Sequence, residues 1–149
     1  MTKSNTDVLQ DLVQIALDSK SFYESAAKEV DNTNLKMEFQ RMADAKGELI
    51  SQLSTHISAR GEQPEQGGTF AGGLRKGYGE LLAHIRSKKG AAKTYTAQLE
   101  ETEDRLLKHY EKAISEVESP VVREILTAQL PKLRQCHDEM KRLKLSQAA

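Results

Sequence analysis

Lys46 and Glu103 each sit at the centre of an otherwise apolar helical stripe. In one stretch Leu35, Phe39, Met42, Lys46, Leu49, Leu53 and His56 alternate at steps of four and three. In another, Ala92, Thr96, Leu99, Glu103, Leu106, Tyr110, Ala113 and Val117 do the same. Such alternation marks the inward face of a helix. An ammonium among leucines loses its hydration unless a carboxylate meets it, so Lys46 is predicted to find partners on other helices. Glu24 is a further candidate, on the flank of an earlier stripe after Val13, Leu17 and Lys20. The remaining chemistry-bearing residues form no constellation. His56, His84 and His109 fall on different helices, no two histidines share an H-x-x-x-H or H-x-x-H spacing, and no Ser or Cys stands in a nucleophile motif. Cys136 is the only cysteine, which excludes an internal disulfide and reads as a small buried apolar residue.

The elements that must position these residues are all helical. With 149 residues the chain is long enough for one domain and its core, and too short for two. Aromatic residues make up only 5% and tryptophan is absent, so the core must be aliphatic and alanine-rich, which suits helices better than strands. Lys plus Arg equals Asp plus Glu at 22 each, with the signs interleaved. There is no basic stripe of the kind nucleic-acid binding needs. Met1 to Gln10 is polar and no later run reaches membrane-spanning length, so the expectation is a cytoplasmic protein with no membrane partner.

Asn5 or Thr6 is predicted to cap a first helix with two inward rows, one through Val8, Leu12, Ile15, Phe22 and Ala26 and one through Leu9, Val13, Ala16, Tyr23 and Val30. The polar break Asp31 to Asn34 turns the chain back into a second helix, which runs to about Arg60 before Gly61 takes a left-handed C-terminal position. Gly61 to Gly90 holds eight of the nine glycines, yet Phe70, Leu74, Tyr78, Leu81, Leu82 and Ile85 predict a short helix within it. It has neither a G-x-x-x-x-G-K-[ST] nor a G-x-G-x-x-G signature, so it reads as a long crossover and not a phosphate loop. Ala91 to about Val117 forms the next long helix. Ser119 caps the last one, Pro120 opens it, and Pro131 inside it predicts a kink.

Two long helices, a long crossover and two more long helices resemble the ferritin-like up-down four-helix bundle, here with a short extra helix in the crossover. Its di-iron sites take a lone Glu from each of two helices and a Glu-x-x-His pair from each of the other two. Phe39-Gln-Arg-Met-Ala43-Asp-Ala-Lys46-Gly-Glu-Leu49 is similar to the second helix of rubrerythrin-type proteins, F-x-x-x-A-x-x-E-x-x-H, with Lys46 in place of the Glu and Leu49 in place of the His. Arg134-Gln-Cys-His137 stands at the other pair, with Arg134 replacing the Glu and His137 retained. Glu24 and Glu103 supply the lone glutamates, with Glu100 or Glu101 as alternative registers for the latter. The closer resemblance, taken over nearly the whole chain, is to an uncharacterised bacterial family of ferritin-like bundles classed as a domain of unknown function. Its signs are Gly68-Thr-Phe-Ala-Gly-Gly-Leu-Arg-Lys-Gly-Tyr-Gly-Glu80, the Glu-rich start of the third helix and Leu133-Arg-Gln-Cys-His137-Asp-Glu-Met140. Relatives of this kind are associated with stress.

The resemblance implies a degenerate metal site. Two charge reversals at ligand positions replace the metals by an internal network of Glu24 and Glu103 against Lys46 and Arg134, with His137 and Tyr23 or Tyr110 as hydrogen-bond partners. The reading is a metal-free, non-enzymatic structural or interaction protein without a cofactor, associating with itself or with a protein partner. A rival reading is a metal-binding or oxidoreductase protein that holds iron or another divalent metal with Glu24, Glu48, Glu103 and His137. A third is an apolar-ligand carrier with a pocket beside Phe70, Leu74 and Tyr78.

Overall fold

A computed structural model describes residues 4–64 and 91–148. They form four α-helices: α1 (Asn5–Glu29), α2 (Thr33–Ala59), α3 (Ala91–Glu116) and α4 (Pro120–Ala148), with no strand among the described residues. The fold is an all-α four-helix bundle. The helix predicted over 70–87 and the ligand pocket beside it lie outside the described residues.

Local chemistry sets the helix ends. Ser4, not Asn5 or Thr6, caps α1: its Oγ accepts a hydrogen bond from the Asp7 N–H at 3.1 Å. Asn5 is engaged elsewhere, its Oδ1 accepting from the Ser119 N–H at 3.2 Å and so tying the α3–α4 turn to the start of α1. Asn32 caps α2 by accepting from the Leu35 N–H. At the far end Gly61 adopts φ +82°, while the Gly61 N–H donates to the Ser58 carbonyl and the Glu62 N–H to the Ile57 carbonyl. That paired reversal is favourable with glycine at the left-handed position. Ser119 caps α4 through the Val122 N–H, one residue before Pro120. Arg123 then donates to the Ile114 and Val117 carbonyls at the end of α3. α4 continues as helix through Pro131.

α1 packs on α2, α3 on α4, and α1 on α3. α2 meets α4 through the Arg41–Glu139 ion pair at 2.7 Å. The Gln10 side chain donates to the Gln63 carbonyl, so the end of α2 lies beside the start of α1, whereas Phe22 and Tyr95 bring the start of α3 to the end of α1. Pro64 and Ala91 therefore stand at opposite ends of the bundle.

Two apolar clusters fill the interior. One combines the first half of α1 with the second halves of α2 and α3 and the first half of α4, and includes Leu9, Leu53, Ile57, Leu106 and Leu126. The other joins the remaining halves through residues such as Phe22, Phe39, Met42, Leu99 and Met140. Burial of each large apolar side chain contributes about 1.5–3 kcal/mol. Between the clusters, α1 supplies Asp18 and Ser19, α2 supplies Lys46, and α3 supplies Thr102 and Glu103, all buried. A polar belt crosses the middle of the bundle.

Candidate functional site

Lys46 and Glu103 meet in that belt. The Lys46 Nζ lies 2.6 Å from Glu103 Oε1, with side-chain exposures of 1% and 0%. The Tyr23 hydroxyl donates to the same Oε1 at 2.6 Å, and the ammonium sits 5.7 Å from the centroid of the Tyr23 ring. One carboxylate oxygen thus receives a charge-assisted bond from α2 and a hydroxyl bond from α1. Glu103 Oε2 is buried and has no hydrogen-bond donor among the described residues.

The pair is held by its surroundings. Phe39 packs against the Tyr23 ring at a centroid distance of 6.3 Å. Cys136 approaches from α4, buried and with its thiol pKa pushed up, first by burial and then by the charge of Glu103, against an opposing effect of Lys46. A thiol in that state is a poor nucleophile. Burial, followed by the Glu103 charge and hydrogen bond, raises the Tyr23 pKa well above its usual value. Tyr23 is therefore a neutral donor across the physiological range.

The other residues singled out in the sequence lie elsewhere. Glu24 stays on the flank of α1, 42% exposed, and pairs with Lys20 at 3.2 Å. A residue one helical turn from Lys20 is reached more easily by it than by the bundle interior. Arg134 is exposed on α4, because its neighbours Leu133 and Cys136 take the inward positions. The expected four-member network is thus a pair plus a tyrosine, with Glu24 and Arg134 outside it. Leu49 is buried in the first apolar cluster. His137 lies on the outer α3–α4 seam, its Nε2 3.7 Å from Glu100 Oε1 and 3.6 Å from Asp104 Oδ1, too far for hydrogen bonds. Glu100 also faces Lys144 at 3.7 Å, and Glu101 pairs with Arg105 on the surface. Of the three candidate registers in α3, only Glu103 points inward.

A second polar crossing lies in the first cluster. Tyr110 donates to Gln129 Oε1 at 2.9 Å, and the Gln129 amide donates to Gln52 Oε1 at 3.0 Å. Burial raises the Tyr110 pKa. Gln52 and Gln129 open onto a cavity of about 570 Å³ between α2 and α4, bounded also by Glu48, Leu49, Ile125 and Lys132.

Of the two tyrosines expected to join the charged network, Tyr23 does and Tyr110 bonds Gln129 instead, while the sequence reading passed over Asp18, Ser19 and Gln129. A signal was present. The inward row of α1 steps by seven from Ile15 to Phe22, and that of α4 by seven from Leu126 to Leu133. The missing intermediate positions are those of Asp18 or Ser19 and of Gln129.

Residues 4–116 match the family described as a domain of unknown function, DUF2383. The chain belongs to that family. No curated protein and no solved structure matches it. The DUF2383 match ends at Glu116, the last residue of α3, so it contains Tyr23, Lys46 and Glu103 but not α4. The resemblance taken over nearly the whole chain is thereby narrowed: the stretch from Leu133 to Met140 falls outside the match. No described helix is long and apolar enough to cross a membrane.

Proposed function

We propose that this DUF2383 protein is a non-enzymatic, ferritin-like structural or interaction protein in which the Lys46 ammonium serves as the internal cation of a metal-free bundle. The observation that carries this reading is the buried Lys46–Glu103 pair with Tyr23 on the same oxygen. In a di-iron bundle, carboxylates and histidines from four helices surround two hard dications. The donors present here do not fit that group. Leu49 has no ligating atom, Glu24 pairs with Lys20 on the flank of α1, and His137 lies on the outer α3–α4 seam, away from Glu103. An ammonium already contacts the one interior carboxylate of the predicted set. Among the described residues no group of three or more His, Cys, Asp and Glu is placed to hold a metal ion. The rival set of Glu24, Glu48, Glu103 and His137 gains no support from these positions.

A charged pair of this kind fixes the register of α2 against α3. Sliding either helix by one residue would leave one of the two charges in the apolar layer, a cost far above that of displacing one leucine. The family resemblance connects such proteins with stress, and a buried charged pair that holds two helices in register suits a structural role in tolerance.

The test is metal analysis of the purified protein before and after anaerobic loading with ferrous iron, with thermal unfolding of both samples. The expected result is substoichiometric metal and an unchanged melting temperature. Ligand that binds the native state at 100 times its Kd adds about 2.7 kcal/mol, which a melting curve resolves easily. Stoichiometric metal with a raised melting temperature would sink the proposal.

A further inference from the structure

Among the described residues the helices pack closely around the bundle except along the α2–α4 seam. That seam is closed at one end by the Arg41–Glu139 pair. Towards the other end it opens into the cavity of about 570 Å³, with Leu49 and Ile125 on its apolar floor. The same edge of α4 continues outward to Val121, which is 60% exposed and one helical turn before Ile125.

Charge on the two walls is opposite in sign. Glu48 lines the α2 wall and Lys132 the α4 wall. Among the described residues neither has an ion-pair or hydrogen-bond partner, and the Lys132 charge is felt at the buried Cys136 thiol. Their register follows from Arg41–Glu139. Glu48 lies seven residues after Arg41, and Lys132 seven residues before Glu139. In an antiparallel helix pair the two therefore stand at one level, two turns from the ion pair. The walls are acidic and basic at the same height.

We propose that the α2–α4 groove is the self-association surface of this protein, and that its occupant is the same groove of a second copy. A two-fold axis running along the groove lays α2 of one copy over α4 of the other, antiparallel as within each chain. It brings Glu48 of each copy opposite Lys132 of the other and buries Ile125 and Val121 between them. Such a contact is self-complementary, so each cross-chain pair occurs twice. A hetero-partner would need its own matching alternation of charge, whereas a second copy already carries it. The proposal is independent of how Lys46 is read, since Lys46 does not line the groove.

The experiment is mass measurement by sedimentation and light scattering across a dilution series, with circular dichroism to verify the fold of each variant. The wild-type chain is expected to dimerise. Lys132→Glu places like charges opposite each other at both copies of the contact and should weaken the dimer by at least about tenfold. Glu48→Lys should do the same. The double variant Glu48→Lys with Lys132→Glu restores both pairs and should recover the dimer, a result that general surface damage would not give. A single-chain mass at every concentration would overturn the proposal and return the groove to a small ligand or an unlike protein. A dimer indifferent to Lys132→Glu, or not recovered in the folded double variant, would overturn it too.

Discussion

The Lys46–Glu103 pair and the Tyr110–Gln129–Gln52 chain both carry polar atoms into the bundle, but only the first is closed off from solvent. Lys46, Glu103 and Tyr23 are fully buried between the two apolar clusters. The second crossing begins at buried Tyr110 and ends at exposed Gln52, on the rim of the α2–α4 cavity. A closed charged pair depends wholly on its designated partners. An open neutral chain can exchange any one of its bonds for water. The bundle should therefore tolerate damage at the second crossing and not at the first, and substitutions ordered by burial test that contrast.

The largest effect is expected for Lys46→Met. It keeps much of the volume but leaves Glu103 as an uncompensated buried carboxylate, and losing one member of a buried pair costs about 3–5 kcal/mol. Lys46→Met combined with Glu103→Gln should recover most of that loss, because the neutral amide oxygen still accepts from Tyr23 and no charge remains inside. Urea unfolding of the two variants checks both claims. A single variant that loses less than about 1 kcal/mol would show that water reaches Glu103 and would erase the distinction between the crossings.

Tyr23→Phe comes next. It removes a hydrogen bond to a charged acceptor, worth about 1.5–3 kcal/mol, while the ring packing on Phe39 remains. The variant should also change the dependence of stability on pH. The Tyr23 pKa is raised in the folded protein by burial and by Glu103, above the unfolded value of about 10. Below that unfolded value the stabilisation is complete, and it is lost as pH rises through the folded pKa. Unfolding free energies followed from about pH 8 to about pH 11 should fall less steeply in Tyr23→Phe than in the wild type. Parallel slopes would mean that the phenol is not shielded.

How far the sequence anticipates this arrangement depends on what each residue's position tests. The four long helices, the Gly61 terminus and the Ser119–Pro120 start were legible because periodicity and capping are local properties. Lys46 and Glu103 were legible as partners because each interrupts its own apolar stripe, so the two anomalies explain one another. Glu24 and Arg134 were assigned by likeness to a metal-site pattern, and that pattern does not specify which way a side chain turns once its metal is absent. Glu24 has Lys20 one turn away, and Arg134 lies between inward neighbours. The groove was not legible at all. Its depth depends on how far α2 and α4 splay, a tertiary quantity with no periodic trace in either helix.

The smallest effects belong to the open crossing. Tyr110→Phe removes the donor to Gln129 Oε1, at a cost of about 1 kcal/mol, because the amide borders the cavity and water can replace the hydroxyl. Gln52→Ala should cost only a few tenths of a kcal/mol, the usual scale for an exposed polar substitution. The pair of values matters more than either alone. Both residues bond the same amide, Tyr110 from inside the bundle and Gln52 from its surface, so the ratio of their costs measures how deep water reaches along the chain. If Gln52→Ala costs as much as Tyr110→Phe by thermal unfolding, the cavity is covered in solution. That coverage should then vanish on dilution if a second copy provides it, which links this modest substitution to the dimer.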